Sequence, residues 1–257
     1  MGQPGGFPQR VLTRHHEARR GRRMEPGHGK GGLTVAFNGF EAEDFAVFSI
    51  AEFEERMEAI RSRVRPKLTA LADELAPRLS RETGVPFYPH VAAHARRKVN
   101  PPDETWMALS RSPRGYKRYA HFEVGIGAEE VFVRLVIKPE AEDKPGAARW
   151  LREHGEEAAA LVPSSYLWAL HRDGAADRPW PRLDGGGLQE LGVALEKKAA
   201  GLAVGRRFDR QEPALVKGES FLSLAQTVLL ELFPLYEAVI PGAHSAGEPS
   251  SRTGSAR

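Results

Sequence analysis

The sequence predicts an α+β fold in a single domain, with helices packed across one face of an antiparallel sheet. Two long stretches, residues 51–81 and 221–239, place apolar residues three and four positions apart, which is typical of amphipathic helices. Between them lie short apolar runs separated by Gly, Pro and Asn, which is typical of strands joined by tight turns.

The first part of the folded chain is predicted to be mostly helical. An apolar run at 33–37 predicts a short entry strand. The helical spacing over 51–81 then predicts one long helix, which Pro66 and Pro77 should kink or divide because proline lacks an N–H donor. Gly84 should end it.

The middle of the chain is predicted to form an antiparallel meander. Turn signals at Arg114-Gly115 and Gly127-Ala128 separate short apolar runs. The first run alternates, so an extended chain would carry a polar, cationic stripe on one strand face, formed by Tyr88, His90, Ala92, His94 and Arg96. The predicted strands span 87–96, 105–109, 119–126 and 130–138.

The C-terminal part is predicted to alternate between helices and strands. Gly185 to Gly187 lack the Gly spacing and the Lys-Ser/Thr ending of a phosphate-binding loop, so we interpret them as a linker. The predicted elements are a helix at 142–161, a strand at 166–171, a helix at 188–200, a strand at 202–208 and a helix at 221–239.

Composition excludes several classes of protein. The 257 residues contain no cysteine, so disulfides, thiolate metal sites and a cysteine nucleophile are excluded. The longest apolar runs are far shorter than the about 20 residues of a membrane span, and the N-terminus lacks the apolar region of a signal peptide. We therefore expect a cytoplasmic protein with no membrane partner.

The formal net charge of +3 is unevenly distributed. Residues 1–33 carry seven Lys or Arg against two acids, and residues 241–257 carry two against one. The remaining body is therefore net negative, which disfavours a protein that coats nucleic acid. Both ends are poor in apolar residues, so we predict disordered tails at 1–32 and 241–257 around one domain at 33–240.

The segment from 90 to 121 concentrates the residues that could carry chemistry. It holds three of the nine histidines and seven Lys or Arg against two acids. Guanidinium groups match phosphate and carboxylate bidentately, and aromatic rings can stack on a ligand. The predicted ligand-binding residues are His90, His94, Arg96, Arg97, Asn100, Trp106, Arg114, Tyr116, Lys117 and His121.

Our first hypothesis is that this segment binds a small phosphate- or carboxylate-bearing ligand. The cations would neutralise the anion, Asn100, Tyr116 and His121 would hydrogen-bond it, and Trp106 would stack. An equally weighted alternative is a solvated basic edge whose arginines pair with acids elsewhere, and such pairs contribute little to stability.

Two further hypotheses remain open. One is an enzyme that uses His94 or His121 as general base, oriented by Glu123 or Asp103. The other is a nucleic-acid-binding module, which we do not favour. We predict no metal site, because two histidines four apart on a strand lie about 13 Å from each other and no His-Glu-x-x-His motif is present. The sequence identifies no cofactor.

Two groups of residues form long, unusual runs that identify a family. They are Phe37-Asn38-Gly39-Phe40, Asp44-Phe45, Val47-Phe48, Arg56-Met57, Ile60 and Arg65-Pro66-Lys67, and then His90-Val91, His94-Ala95-Arg96-Arg97, Val99-Asn100-Pro101-Pro102, Thr105-Trp106, Arg114-Gly115-Tyr116-Lys117 and His121-Phe122. With these residues the chain resembles the YktB-like family of uncharacterised bacterial proteins over about 37–236. It departs from the family pattern at Ala120, where a proline is expected, and at Gly127, where a tryptophan is expected. The resemblance implies an α+β domain with a curved antiparallel sheet in a TBP-like arrangement, and it implies no activity.

Overall fold

Seven antiparallel strands and a set of helices form an α+β fold, as the sequence predicts. The computed structural model describes residues 36–172 and 175–240. The two predicted tails, and most of the predicted entry strand at 33–37, lie outside these residues. The strands, in chain order, are β1 (Tyr88–Val91), β2 (Glu104–Ser110), β3 (His121–Gly127), β4 (Glu130–Ile137), β5 (Leu167–Arg172), β6 (Ala175–Pro179) and β7 (Gly201–Asp209).

The sheet has the strand order β1-β2-β3-β4-β7-β5-β6. Its first four strands are the predicted meander, since each pairs with the next along the chain. The C-terminal strand β7 then inserts between β4 and β5, and it pairs antiparallel with both. The structure also adds β6, which the sequence does not predict.

The helices precede, interrupt and follow the strands. Short 3₁₀ helices lie at Val47–Ser49 and Tyr116–Arg118, and a π-helical turn lies at Ile60–Val64. The α-helices, in chain order, are α1 (Ala42–Ala46), α2 (Phe53–Ala59), α3 (Arg65–Thr83), α4 (Lys144–Glu153), α5 (Gly155–Leu161), α6 (Gly185–Leu195) and α7 (Gly218–Val239).

The predicted helix at 51–81 is divided, as expected, near its first proline. Pro66 occupies the first turn of α3, directly after residues that are already helical, so it cannot supply the backbone N–H that a regular helix would use at this position. The break is the π-helical turn just before it, at Ile60–Val64. Pro77 lies inside α3 without ending it, and Gly84 ends the helix in a left-handed conformation with φ of 71°.

The predicted strand at 87–96 is wrong beyond Val91. The N–H of Ala92 still donates to the carbonyl of Trp106 at 2.9 Å, after which the chain leaves the sheet. His94 has a φ of 49°, which is incompatible with an extended strand. The predicted stripe therefore does not continue through His94 to Arg96.

The interpretation of Gly185 to Gly187 as a linker is also wrong, because these residues form the first turn of α6. The side chain of Asp184 accepts a hydrogen bond from the N–H of Gly187 at 2.7 Å, which caps the helix. A Cβ at Gly155, the first residue of α5, would lie 2.1 Å from the backbone carbonyl oxygen of Gly185. Glycine at this position thus permits α6 to pack closely against α5.

The two faces of the sheet differ in what covers them. One face, here called the helix face, packs residues such as Met107, Phe122, Val133 and Val204 against all the long helices in one apolar core. The opposite face, here called the second face, carries a small separate apolar cluster that includes Trp106 and contains no residue of the α-helices. The helices are therefore gathered on one face, as predicted. The TBP-like arrangement stays a prediction.

Within the described ranges, α7 is the one helix whose length and apolar composition would suffice to cross a membrane. In this fold its apolar stripe instead contributes to the core. Phe221, Val228 and Leu232 are fully buried against the helix face.

Candidate functional site

Four of the predicted ligand-binding residues meet on the second face around Tyr116. The rings of Tyr116 and His90 have centroids 5.1 Å apart, and those of Tyr116 and His121 are 4.9 Å apart. The indole N–H of Trp106 donates to the hydroxyl of Tyr116 at 3.1 Å. These residues come from β1, β2, a 3₁₀ turn and β3, so the meander brings together residues that lie up to 31 positions apart in the sequence.

His94 adjoins this cluster at the end of the first strand pair. Its ring meets Trp106 edge to face with centroids 5.4 Å apart, and Nε2 lies 2.9 Å from the hydroxyl oxygen of Thr105. Burial, followed by the positive charges of Arg97, Lys117 and Arg65, lowers the pKa of His94 to about 4. The imidazole is therefore neutral at pH 7.

A pocket opens beside His94, and we call it the His94 pocket. It holds about 250 Å³ of empty space including its open mouth. Its wall includes the beginning of the π-helical turn, and such turns occur frequently at functional sites. The lining residues are Met57, Ile60, Arg61, Arg65, Ala92, Ala93 and His94.

The cations around His94 lack acidic partners. Among residues 36–172 and 175–240, Arg65, Arg97 and Lys117 form no ion pair with a carboxylate. Arg97 donates to the backbone carbonyl of Asn100 at 3.2 Å, and the Lys117 ammonium lies 5.8 Å from the centre of a Trp106 ring. Most other arginines of the fold do have such partners, so this region carries a local excess of positive charge.

The remaining predicted residues lie at the surface. Arg96, Asn100 and Arg114 are exposed. The backbone of Arg114 exchanges hydrogen bonds with the Ser112 hydroxyl, and Asn100 contributes its carbonyl to Arg97. The side chains of these three residues are not brought into the cluster by any contact in the described chain, so their roles stay predictions.

A second group of charged residues is buried behind the aromatic cluster, and we call it the charged ring. It consists of Glu123, Arg134, Lys138, His171 and Asp177. Glu123 accepts from Arg134 at 2.8 and 3.0 Å and lies 3.1 Å from the Lys138 ammonium. Lys138 lies 2.7 Å from Nε2 of His171.

Asp177 closes the charged ring. One of its carboxylate oxygens lies 2.7 Å from Nδ1 of His171, and the other accepts from Arg134 at 2.8 Å. Because an ammonium can only donate, Nε2 of His171 accepts from Lys138 and Nδ1–H donates to Asp177. The ring therefore balances two carboxylates against two cations through a neutral histidine.

Burial and ion pairing act in opposite directions on the two carboxylates. Burial opposes ionisation of Glu123, but Lys138 and Arg134 hold its pKa well below the ordinary value. Burial likewise opposes ionisation of Asp177, whose pKa is nevertheless lowered by the hydrogen bond from His171 and the charge of Arg134. Both groups are therefore ionised at neutral pH, and every charge of the ring has a partner.

His121 connects the aromatic cluster to the charged ring. Its Nδ1 lies 2.7 Å from the carbonyl oxygen of Tyr119, and its Nε2 lies 3.2 Å from a Glu123 carboxylate oxygen. Glu123, one of the two predicted orienting groups, thus contacts His121, and an orienting role in catalysis stays a prediction. Asp103, the other predicted orienting group, instead lies at the surface and pairs with Arg56 at 3.5 Å.

The sequence did contain a signal for the charged ring. Arg134 interrupts the apolar run of β4, and Glu123 lies between two apolar residues of β3. A charge inside a strand that is otherwise apolar on both faces must be buried, and buried charges are paired. Arg61 and Arg65 gave no comparable signal, because they resemble the solvated face of an amphipathic helix.

Beside the charged ring, a shallow hollow of about 220 Å³ including open solvent is lined by Arg134, Asp177 and Arg207 over small residues of β5 and β7. Its charges are mutually paired, since Asp177 accepts from both arginines. In the part of the chain that the structure describes, no group of three His, Asp or Glu side chains is arranged to hold a metal ion.

Comparison with known proteins identifies relatives over most of this chain. The family described as Domain of unknown function (DUF1054) matches residues 40–236. A UPF0637 protein of Bacillus cytotoxicus is 37% identical over 199 residues, which cover 77% of this chain and 95% of the relative. UPF0637 proteins of Bacillus cereus strain AH187 and Bacillus thuringiensis strain Al Hakam are each 35% identical over the same shares.

Proposed function

Because the chain belongs to the DUF1054 family of uncharacterised bacterial proteins, as its resemblance to the YktB-like family led us to expect, we propose a function from its own geometry. The protein binds a small anionic ligand, bearing phosphate or carboxylate, in the His94 pocket. Arg65 and His94 line the site, and Arg97 and Lys117 add positive charge.

One observation carries this proposal, namely the three cations around a neutral histidine that have no carboxylate partner among the described residues. Arg65 lines the pocket together with His94, the backbone N–H of Arg97 donates to the His94 carbonyl at 2.9 Å, and the Lys117 ammonium lies 5.8 Å from the centre of a Trp106 ring that meets the His94 ring. Like charges held together destabilise a fold unless a counterion compensates them. A bound anion would supply that compensation.

The backbone at the pocket supports the same conclusion. His94 is the one non-glycine residue with a positive φ in the described ranges. Such strained conformations cluster at ligand sites, where surrounding structure holds them in place. The π-helical turn at Ile60–Val64 lies on the opposite wall of the pocket. Two uncommon backbone features therefore flank one cavity.

The enzyme hypothesis is weaker at this site. A general base works best when its pKa lies near the operating pH, whereas the pKa of His94 is about 4. His121 is completely buried, and both of its nitrogens already contact protein oxygens. Nucleic-acid binding is disfavoured by the net negative charge of the body between the tails. Binding without chemistry fits the geometry better.

The experiment is a titration of His94 by NMR in the full-length protein, with and without inorganic phosphate or acetate. An anion in the pocket offsets the neighbouring cations, so the pKa of His94 should rise from about 4 toward its ordinary value of 6.5. Arg65→Gln should reduce this rise, whereas Arg152→Gln, which removes a cation paired with Glu196 on the helix side, should not. An unchanged His94 titration at 50 mM of either anion would refute the proposal.

A further inference from the structure

The charge and shape of the His94 pocket narrow the class of ligand, on the premise that the proposed anion binding is correct. We propose that the ligand is a phosphate monoester with a short apolar substituent, bound as the dianion, and not a carboxylate. Three features carry this inference: the number of unpaired cations, the hydrogen-bonding capacity of His94, and the mixed lining of the pocket.

The number of unpaired cations favours a dianion. Arg65 lines the pocket, the N–H of Arg97 donates to the His94 carbonyl, and the Lys117 ammonium lies over Trp106 beside His94, so three positive charges without an acidic partner in the described ranges lie at or beside the site; Arg61, also in the lining, is already paired with Glu58. A carboxylate would compensate one of the three charges and leave two. A phosphate monoester carries close to two negative charges at neutral pH, so it leaves one.

The geometry of the donors also suits phosphate. A guanidinium such as that of Arg65 binds two oxygens of one anion, and a lysine ammonium acts as a point charge on a third. Nε2 of His94 can accept a hydrogen bond from the Thr105 hydroxyl, 2.9 Å away, which leaves Nδ1–H free to donate to the ligand. A tetrahedral group with three terminal oxygens uses donors from three directions, whereas a planar carboxylate offers two oxygens.

The lining limits what the phosphate is attached to. Met57, Ile60, Ala92 and Ala93 form an apolar wall beside the cations. The empty volume of about 250 Å³ counts open solvent at the mouth, so the enclosed part of the pocket is smaller. The enclosed part therefore limits the substituent to a few atoms, and the rest of the ligand stays in contact with solvent.

The test compares three probes by isothermal titration calorimetry on the full-length protein at pH 8. n-Propyl phosphate is a dianion, dimethyl phosphate is a phosphate with a single charge, and butyrate is a carboxylate with a similar chain. We expect n-propyl phosphate to bind at least tenfold more tightly than either of the others. The variant Lys117→Gln should weaken n-propyl phosphate by a larger factor than butyrate, because the dianion interacts twice as strongly with each cation.

The outcomes separate this inference from the proposed function. If butyrate binds as tightly as n-propyl phosphate, the phosphate inference is overturned while anion binding stands. If dimethyl phosphate equals n-propyl phosphate, the requirement for a dianion is overturned. If none of the three probes binds and none of them changes the pKa of His94, the proposed function itself fails. Arg152→Gln serves as the control, and its affinities should equal those of the unaltered protein.

Discussion

Replacing Glu123 by glutamine should destabilise the fold strongly while barely changing the volume of the side chain. Glu123 is completely buried and accepts from Arg134 at 2.8 and 3.0 Å, and it lies 3.1 Å from the Lys138 ammonium. Glutamine keeps the shape but removes the charge. The buried Lys138 ammonium would then lose its carboxylate partner, while Arg134 would keep Asp177 and the partly exposed Glu104.

The size of the effect follows from the burial of the pair. Removing one member of a buried ion pair costs about 3–5 kcal/mol, because the partner's charge is left uncompensated. Since whole domains are stable by about 5–15 kcal/mol, this is a large share of the total. For a domain of this size each kcal/mol shifts the melting temperature by about 2–4 °C, so the expected fall is about 6–20 °C.

Urea unfolding followed by circular dichroism measures this loss. The matched control is Glu196→Gln, which removes an exposed carboxylate paired with Arg152 at 2.7 Å. Surface pairs of this kind contribute at most about 1 kcal/mol. If Glu123→Gln and Glu196→Gln lose the same free energy of unfolding, the charged ring does not stabilise the fold and the reasoning is refuted.

Three further predictions test other parts of the structure. The pKa values of Glu123 and Asp177 are lowered in the folded state. The stabilisation from the two carboxylates is therefore present above their unfolded pKa values of about 4 and is lost as the pH falls through the folded pKa values. The free energy of unfolding in urea should differ less between pH 7 and pH 3 in Glu123→Gln than in the unaltered protein, and an equal difference would contradict this. Gly39 has a φ of 103°, and a Cβ there would lie 2.6 Å from a backbone carbonyl, whereas Gly84, with a φ of 71°, faces open space. Thermal unfolding should show that Gly39→Ala lowers the free energy of unfolding by about 2 kcal/mol or more and Gly84→Ala by about 1 kcal/mol. Equal losses in the two variants would argue against the steric clash. Lys144→Met removes three hydrogen bonds of 2.9, 3.2 and 3.1 Å from the ammonium to carbonyls that follow α6. Denaturant unfolding should therefore show a free energy of unfolding lower by about 1–3 kcal/mol. A change within experimental error would show that water replaces the lysine.

The elements that the sequence predicted are those with local signals. The meander was predictable because each strand is apolar and the turn at Gly127-Ala128 lies between two such runs. In contrast, β6 includes Arg178 and Pro179, which do not favour a strand by themselves. It becomes a strand because β5 offers it a hydrogen-bonding edge, and that edge depends on the rest of the sheet.

The candidate site was predicted in part, for a similar reason. The dense segment of histidine, aromatic and basic residues between 90 and 121 supplies the aromatic cluster, because the meander folds this segment onto itself; that these residues bind a ligand stays a prediction. The alternating pattern of residues 87–96 predicts an extended strand, so it gives no sign of the positive φ of His94. The charged ring joins Glu123 to Asp177, and only the register of β4, β7 and β5 brings them together. Such long-range register is not encoded in any short stretch of sequence.

The position of β7 in the sheet has a consequence for how the chain folds. Strands β5 and β6 can form a hairpin alone, but they join the meander only through β7, whose Leu202 pairs with Ile137 of β4 and with Leu170 of β5. Pairings between residues so far apart in sequence form slowly. During synthesis the meander emerges first, carrying Arg134 and Lys138 without the histidine and aspartate that complete their contacts. The sheet is therefore completed only when a strand near the C-terminus arrives, and a ribosome-bound chain that ends before residue 201 should still lack a continuous seven-stranded sheet.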